Sequence, residues 1–499
     1  MEEFAMKPQF ETYRYVGEIC PIKSQSIVEC RLPGSEIGAI LAVHAQAVPG
    51  ESTCLDGEVQ YGGKLLLCLV YEDLDKKICR VERGAEFFHK AEHADVTPAC
   101  FVKASFSTEN ITWRREGSGL YVSVVVDASL AVYGVKQMEY LMGGEGLIGK
   151  KENISFSRMI AVSGEVEGED EFDTDCIGDI LLHSEQAVIS RMQATIGQID
   201  MEGEMSLHIC VLKTDGSLCS LERVLPFKMS LPSEEAFGKV VAGGKVFVKS
   251  AHLSASIDEE KKTSHVVLSY TLLAECQLCI KEEISIWEDA YSLTSKMDLK
   301  KQNEGGMYLM RQFKGMERVQ GDAILSPDVD GEFTLQASVL PRTEITLRKG
   351  EKGWEAEGAI LAEVILKNEE GTHRTASLTL PFVFALEGDG EMMEADCLVC
   401  GLTIRRKKTG ETEAEGTLKM TLRAYEHRAW SYVAEVAEGE AYPENDSAFS
   451  VFMTEAGEDL WGLSKRLLCE PEELQKSNPN LEFPLKRGER IFVYRQMRE

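Results

Sequence analysis

The chain has 499 residues, with 54 Lys and Arg against 83 Asp and Glu and a formal net charge of −29. That excess of acid excludes the usual route to DNA, RNA or anionic lipid, in which basic side chains neutralise phosphates, and it sets the chain against anionic cell wall too. At about 150 residues per domain, the length implies three to four units.

The chain opens with "MEEFAMKPQFETYRYVG", which has no basic n-region, no apolar run and no small-residue cleavage site. A cytoplasmic location is therefore expected. The longest apolar window, "HVVLSYTLLAECQLCI", is shorter than the roughly 20 residues that span a bilayer, and it contains a Glu. No membrane insertion is expected. Fourteen Cys are scattered along the chain, many in apolar runs such as "LLLCLVY" and "LHICVL". They read as small buried hydrophobes in a reducing compartment rather than as a disulfide framework.

A long internal repeat follows. "IGAILAVHAQAV" at 37 to 48 recurs in register as "IGDILLHSEQAV" at 177 to 188, an offset of 140. A second mark, "GAEFF" ending at Phe88, answers "VLPF" ending at Phe227, and a weaker third copy carries "DGEFTLQASVL" at 330 to 340 and "LTLPF" ending at Phe382. Within each copy, apolar residues alternate at period two between Gly, Asp and Asn clusters, which argues strands and hairpins. Copies of this size are too long for a stacked solenoid, so each should bury a core of its own. The expected fold is mainly β: three repeated β-sandwich-like domains at 12–149, 150–300 and, more divergent, 301–434. An acidic linker at 435–447 and a small βααβ domain at 448–497 then complete the chain.

Several stretches imitate reactive sites. "GEGLIGKK", 144 to 151, nearly spells a phosphate-binding loop, but Lys151 stands where the magnesium-holding hydroxyl belongs and no helix pattern follows. "CQLC" (Cys276, Cys279) and "CLVC" (Cys397, Cys400) have zinc-knuckle spacing. Residues three apart on a strand point to opposite faces, however, so these read as core thiols. "SPDVDGEF" places Ser326, Asp328, Asp330 and Gly331 like the start of a calcium loop, with Ala337 where the bidentate Glu should be. It reads as a tight turn. With no His-Glu-x-x-His pair and no Gly-x-Ser-x-Gly elbow, neither an enzyme nor a metal or other cofactor is expected.

The C-terminal fifty residues are the most specific part of the sequence. A short strand at 449 to 452 leads to Gly457, Glu458 and Asp459, with Asp459 placed to cap a helix carrying Leu460, Trp461, Leu463 and Leu467. Glu470 and Pro471 start a second helix that runs to "SNPN", and "PLKRGERIFVYR" closes with a strand. In this order the segment resembles the LysM module. The resemblance implies a shallow groove between the loop after the first strand (Thr454, Glu455, Gly457, Glu458, Asp459, with Leu460 and Trp461 behind it) and the loop after the second helix (Ser477, Asn478, Pro479, Asn480, Leu481). Trp461 is expected either to anchor a partner there or to pack between the helices. Residues 449 to 499 hold eight Lys or Arg and nine Asp or Glu, so a nearly neutral head sits on a strongly acidic body.

The repeat marks "IGDILL", "GEV" and "VLPF", with "WEDAYS" at 287 to 292 and "AYPENDSAFSVFMTEAGEDLWGLSKRL" at the end, resemble the spore-coat morphogenetic proteins of the SipL kind. These carry SPOCS domains, once called DUF3794, and a C-terminal LysM. The resemblance implies a sporulation protein in the mother-cell cytoplasm, at the forespore and coat surface. It also implies a partner, the coat-basement morphogenetic ATPase SpoIVA, and hence a LysM that meets a protein inside the cell. The alternative is a LysM that binds peptidoglycan or N-acetylglucosamine of the spore cortex or wall.

Overall fold

A computed structural model describes residues 7–33, 37–117, 119–258, 263–327, 333–351, 353–406, 411–443 and 448–494. The chain is mainly β. Its first six strands are β1 (Lys7–Pro33), β2 (Ile37–Leu55), β3 (Glu58–Asp73), β4 (Ile78–Glu92), β5 (Phe101–Glu116) and β6 (Gly119–Glu145). They form two three-stranded sheets, ordered β1-β6-β5 and β2-β3-β4. The period-two alternation explains the facing: along β6, Leu120, Val122, Val124, Val126, Leu130 and Val132 all point inward and are buried.

The next six repeat this arrangement: β7 (Ile148–Thr174), β8 (Gly178–Thr195), β9 (Gln198–Lys213), β10 (Leu218–Pro232), β11 (Val241–Asp258) and β12 (Thr263–Tyr291). Their sheets are β7-β12-β11 and β8-β9-β10. The last six are β13 (Ser295–Ser326), β14 (Phe333–Gly350), β15 (Gly353–Asn368), β16 (His373–Leu386), β17 (Met392–Arg406) and β18 (Thr412–Ala441). Here the end of β13 also pairs with β16, joining everything into one six-stranded sheet, β14-β15-β16-β13-β18-β17.

A glycine under a phenylalanine ring marks the same place three times. Phe87 lies opposite Gly63, Phe227 opposite Gly203 and Phe382 opposite Gly358. A Cβ would fall 2.3 Å from the Val48 carbonyl at Gly63, 2.3 Å from that of Val188 at Gly203 and 2.0 Å from that of Glu344 at Gly358, besides meeting the ring. The aromatic equivalent to Phe227 is therefore Phe87, offset 140 like the first mark, and not Phe88, which is 78% exposed.

Strand ends differ from the expected boundaries. β6 stops at Glu145 and β7 starts at Ile148, while Lys300 lies inside β13. Residues 435 to 441, expected as linker, pair with the start of β13 (Leu299 with Val436, Ser295 with Ala441), because their alternation continues the long strand. Residues 444 to 447 of that stretch lie outside the described residues, as do Asp328, Asp330 and Gly331 of the calcium-like turn.

Each copy has its own core, around Leu65 and Val122, around Leu207 and Leu272, and around Leu378 and Leu418. Other clusters join all three copies. One gathers Leu41, Leu181 and Ile365, and another Tyr15, Phe156 and Trp430. The expectation of independent cores thus holds only in part. Among the cysteines, Cys176 and Cys219 are joined as a disulfide, an exception to the reading of the cysteines as small buried hydrophobes in a reducing compartment. The other twelve form no disulfide, and most of them are buried.

The chain closes with β19 (Phe449–Met453), α1 (Leu460–Leu467), α2 (Pro471–Ser477) and β20 (Arg490–Tyr494), with β19 and β20 paired antiparallel. No helix among the described residues is long and apolar enough to cross a membrane.

Candidate functional site

The βααβ unit is assembled by local chemistry. The Asp459 carboxylate accepts from the Gly462 amide at 2.8 Å, capping α1 at its start. Leu468, with φ 51°, stops the helix by turning left-handed. Pro471 opens α2, where a missing amide proton costs nothing. Leu463, Leu467, Leu474, Leu485, Ile491 and Val493 close a small core between the helices and the two strands.

Of the expected groove residues, two serve the framework. Thr454 is buried; its hydroxyl donates to the Lys486 carbonyl and accepts from the Glu489 amide at 2.9 Å, tying the two loops together. Asn478 is buried as well. Its side-chain amide donates to the Leu474 and Phe492 carbonyls at 2.9 and 2.7 Å and accepts from the Phe492 amide at 2.8 Å, clasping the end of α2 to β20. Glu458 is paired with Arg466 at 2.7 Å and accepts from the Glu455 amide at 2.7 Å. Burial would raise its pKa, but Arg466 and that amide outweigh it and hold the carboxyl below its usual range. Glu455, Gly457, Asp459, Pro479 and Asn480 are exposed, while Leu460, Ser477 and Leu481 are half-buried.

Trp461 has a contact that neither expectation contained. Its indole Nε1 donates to Asp289 Oδ2 at 2.8 Å, and its ring meets Tyr291 edge-on with centroids 5.1 Å apart. Lys465, one turn further on α1, holds both oxygens of Asp289 at 2.8 and 2.9 Å, and the Tyr291 hydroxyl donates to the Cys469 carbonyl at 2.6 Å. The unit therefore sits on the end of β12. A register shift between Trp287 and Asp289 in the β12–β7 ladder re-aims the strand at this point. Burial pushes the Asp289 carboxyl up, but Lys465 and Trp461 prevail, and its pKa is lowered. The stretch 287 to 292 stood out in the sequence only as a family mark; its role as a seat for α1 had no local signal.

The outer face of the β19–β20 pair is apolar and open. Phe449 faces Tyr494 and Val451 faces Phe492 across the ladder, and Met453 faces the exposed Arg490 at the edge of the patch. Phe449 is 48%, Met453 56% and Tyr494 60% exposed. The Phe449 ring stacks on Phe492 at 5.9 Å and tilts against Tyr494 at 5.1 Å. Sequence reading placed these residues as strand but missed the face, because only the pairing decides which side chains align.

The imitation sites take ordinary structural places. "GEGLIGKK" forms the end of β6, a turn through Gly146 (φ 75°) and the start of β7. Cys276 and Cys279 lie on β12, and Cys397 and Cys400 on β17. Burial pushes the thiols of Cys276 and Cys397 up to about 12 and that of Cys279 to about 11, which keeps them neutral and poor nucleophiles. Among the described residues, no three His, Cys, Asp or Glu side chains are grouped to hold a metal ion. Comparison with family models, with curated proteins and with solved structures finds no match for this chain.

Proposed function

We propose that this chain is a non-enzymatic scaffold of spore-coat assembly, with three β-sandwich-like domains and a LysM-like module that docks to a coat-basement protein of the SpoIVA kind. The observation that carries the docking role is the open face of β19 and β20. A contiguous exposed apolar patch on a small unit marks a macromolecular contact, and its aromatic side chains are of the type that concentrate interface energy. Trp461 and Lys465 are already engaged by Asp289. A protein partner is thus better served by the sheet face than by the α1 side of the groove. The partner's identity rests on the sequence resemblance alone, and so does the mother-cell location.

The test uses the full chain and a variant carrying Phe449→Glu and Phe492→Glu, both at exposed positions. Each is assayed for capture of the purified coat-basement ATPase and for sedimentation with peptidoglycan. Capture by the unaltered chain, lost in the variant, without sedimentation, is the expected result. Sedimentation with peptidoglycan and no capture of the ATPase would overturn it in favour of a glycan-binding LysM.

A further inference from the structure

The long-strand sheets of the three copies meet around a cleft of about 260 Å³. β1 and β5 bring Lys23 and Lys103 to it, β11 and β12 bring Lys245 and Glu275, and β17 and β18 bring Glu394 and Arg423. In the whole chain acids outnumber bases by 83 to 54, yet this cleft reverses the balance, with four basic side chains against two carboxylates.

Glu394 is not free to neutralise it, and Asp396 behind the wall is already paired with Arg423 and lies 3.8 Å from Lys245. Glu394 receives the Arg423 Nε at 3.2 Å and the Tyr425 hydroxyl at 3.1 Å. Arg423, only 2% exposed, also donates from Nη1 to Asp396 and to the Gly244 carbonyl at 3.1 Å, while its Nη2 has no partner. Lys103 has a ring beside it instead of a carboxylate: its ammonium lies 5.7 Å from the centroid of Tyr133. Burial lowers its pKa against the pull of Glu275, and burial raises that of Glu275 against Lys103 and Lys245. Among the described residues no carboxylate lies within ion-pair distance of this amine, so the more distant Glu275 offsets its lost hydration only in part.

We infer that this cleft binds a small organic carboxylate, with its anionic end at Lys103 and its apolar part against Phe247 and Tyr133, which also line the walls. The volume sets the size. At about 30 Å³ per water-sized group, the space holds on the order of ten non-hydrogen atoms. The Lys103 ammonium, with no carboxylate within ion-pair distance among the described residues and an aromatic ring beside it, suits an organic anion with an apolar body better than a fully hydrated phosphate. Because all three copies contribute to the walls, the ligand would bridge them.

The experiment is titration of the full chain with benzoate, citrate and inorganic phosphate in the millimolar range, followed by calorimetry and by ligand-observed NMR. Saturable binding of one benzoate per chain, weakened about tenfold or more in Lys103→Met, is the expected result. No saturable binding of benzoate, binding of phosphate alone, or benzoate affinity unchanged in a folded Lys103→Met chain would each overturn the inference. Should Lys103→Met fail to fold, Phe247→Ala decides in its place, since Phe247 lines the wall assigned to the apolar part: weaker benzoate binding supports the inference, and unchanged binding overturns it.

Discussion

Gly203 shows how closely single residues are constrained. Its missing side chain lets the Phe227 ring lie across the strand, and a methyl group there would press on both that ring and the Val188 carbonyl. Backbone cannot yield as a flexible side chain can, so Gly203→Ala should cost about 1–3 kcal/mol, measured by urea unfolding of the full chain. Gly197 lies in an open turn with nothing within 4 Å of a Cβ, but its φ of 79° strains any other residue. It is thus no neutral control, whereas Gly238, with open space and no positive φ, is one. A Gly203→Ala chain as stable as Gly238→Ala would refute the overpacking account. The repeat was legible in the sequence at this scale, but choosing between Phe87 and Phe88 was not. Adjacent strand residues face opposite sides, and a one-residue slip in register exchanges them.

Among the elements, the two short C-terminal helices have local signals: Asp459 capping α1, Pro471 opening α2 and the apolar stripe between them. The seat of α1 was not readable. Asp289 and Trp461 are 172 residues apart, and no periodicity links them. The seat should respond to pH in a defined sense. The folded pKa of Asp289 lies below its ordinary 3.8, so the contact is complete above that value and is lost as pH falls through the depressed one. The emission of Trp461, isolated by difference against Trp461→Phe, should shift to longer wavelength only on acidification below the ordinary carboxylate range. At neutral pH, Asp289→Ala should give the same shift and raise amide exchange in α1. Since Lys465 is 42% exposed, solvent screening limits the cost to about 1–2 kcal/mol. An unchanged spectrum in Asp289→Ala would mean that the contact does not hold the unit in solution.

For the molecule as a whole, the three copies are more than beads on a string. Leu41 and Leu181 occupy equivalent places 140 residues apart, and they meet each other's copies and Ile365 in one buried cluster. Polar links reinforce it: His373 of β16 is bonded to Glu72 of β3, both buried, and the Thr375 hydroxyl donates to the Leu41 carbonyl at 2.8 Å. The offset of 140 could announce the copies but not their contact, because the residues at the junction carry the same period-two pattern as those inside each copy. The consequence is thermodynamic. If the copies stood apart, calorimetry would resolve separate transitions, and a core substitution would move only its own. With shared clusters, the β body should unfold in one transition, its calorimetric enthalpy matching the van't Hoff value. Leu41→Ala, in the first copy, should destabilise all three by about 2–5 kcal/mol. Hydrogen exchange gives the decisive reading: protection should fall together in β3, β9 and β15, which contribute to the common cluster. Loss of protection confined to residues 7–145, with the second and third copies unmoved, would return the molecule to three independent domains.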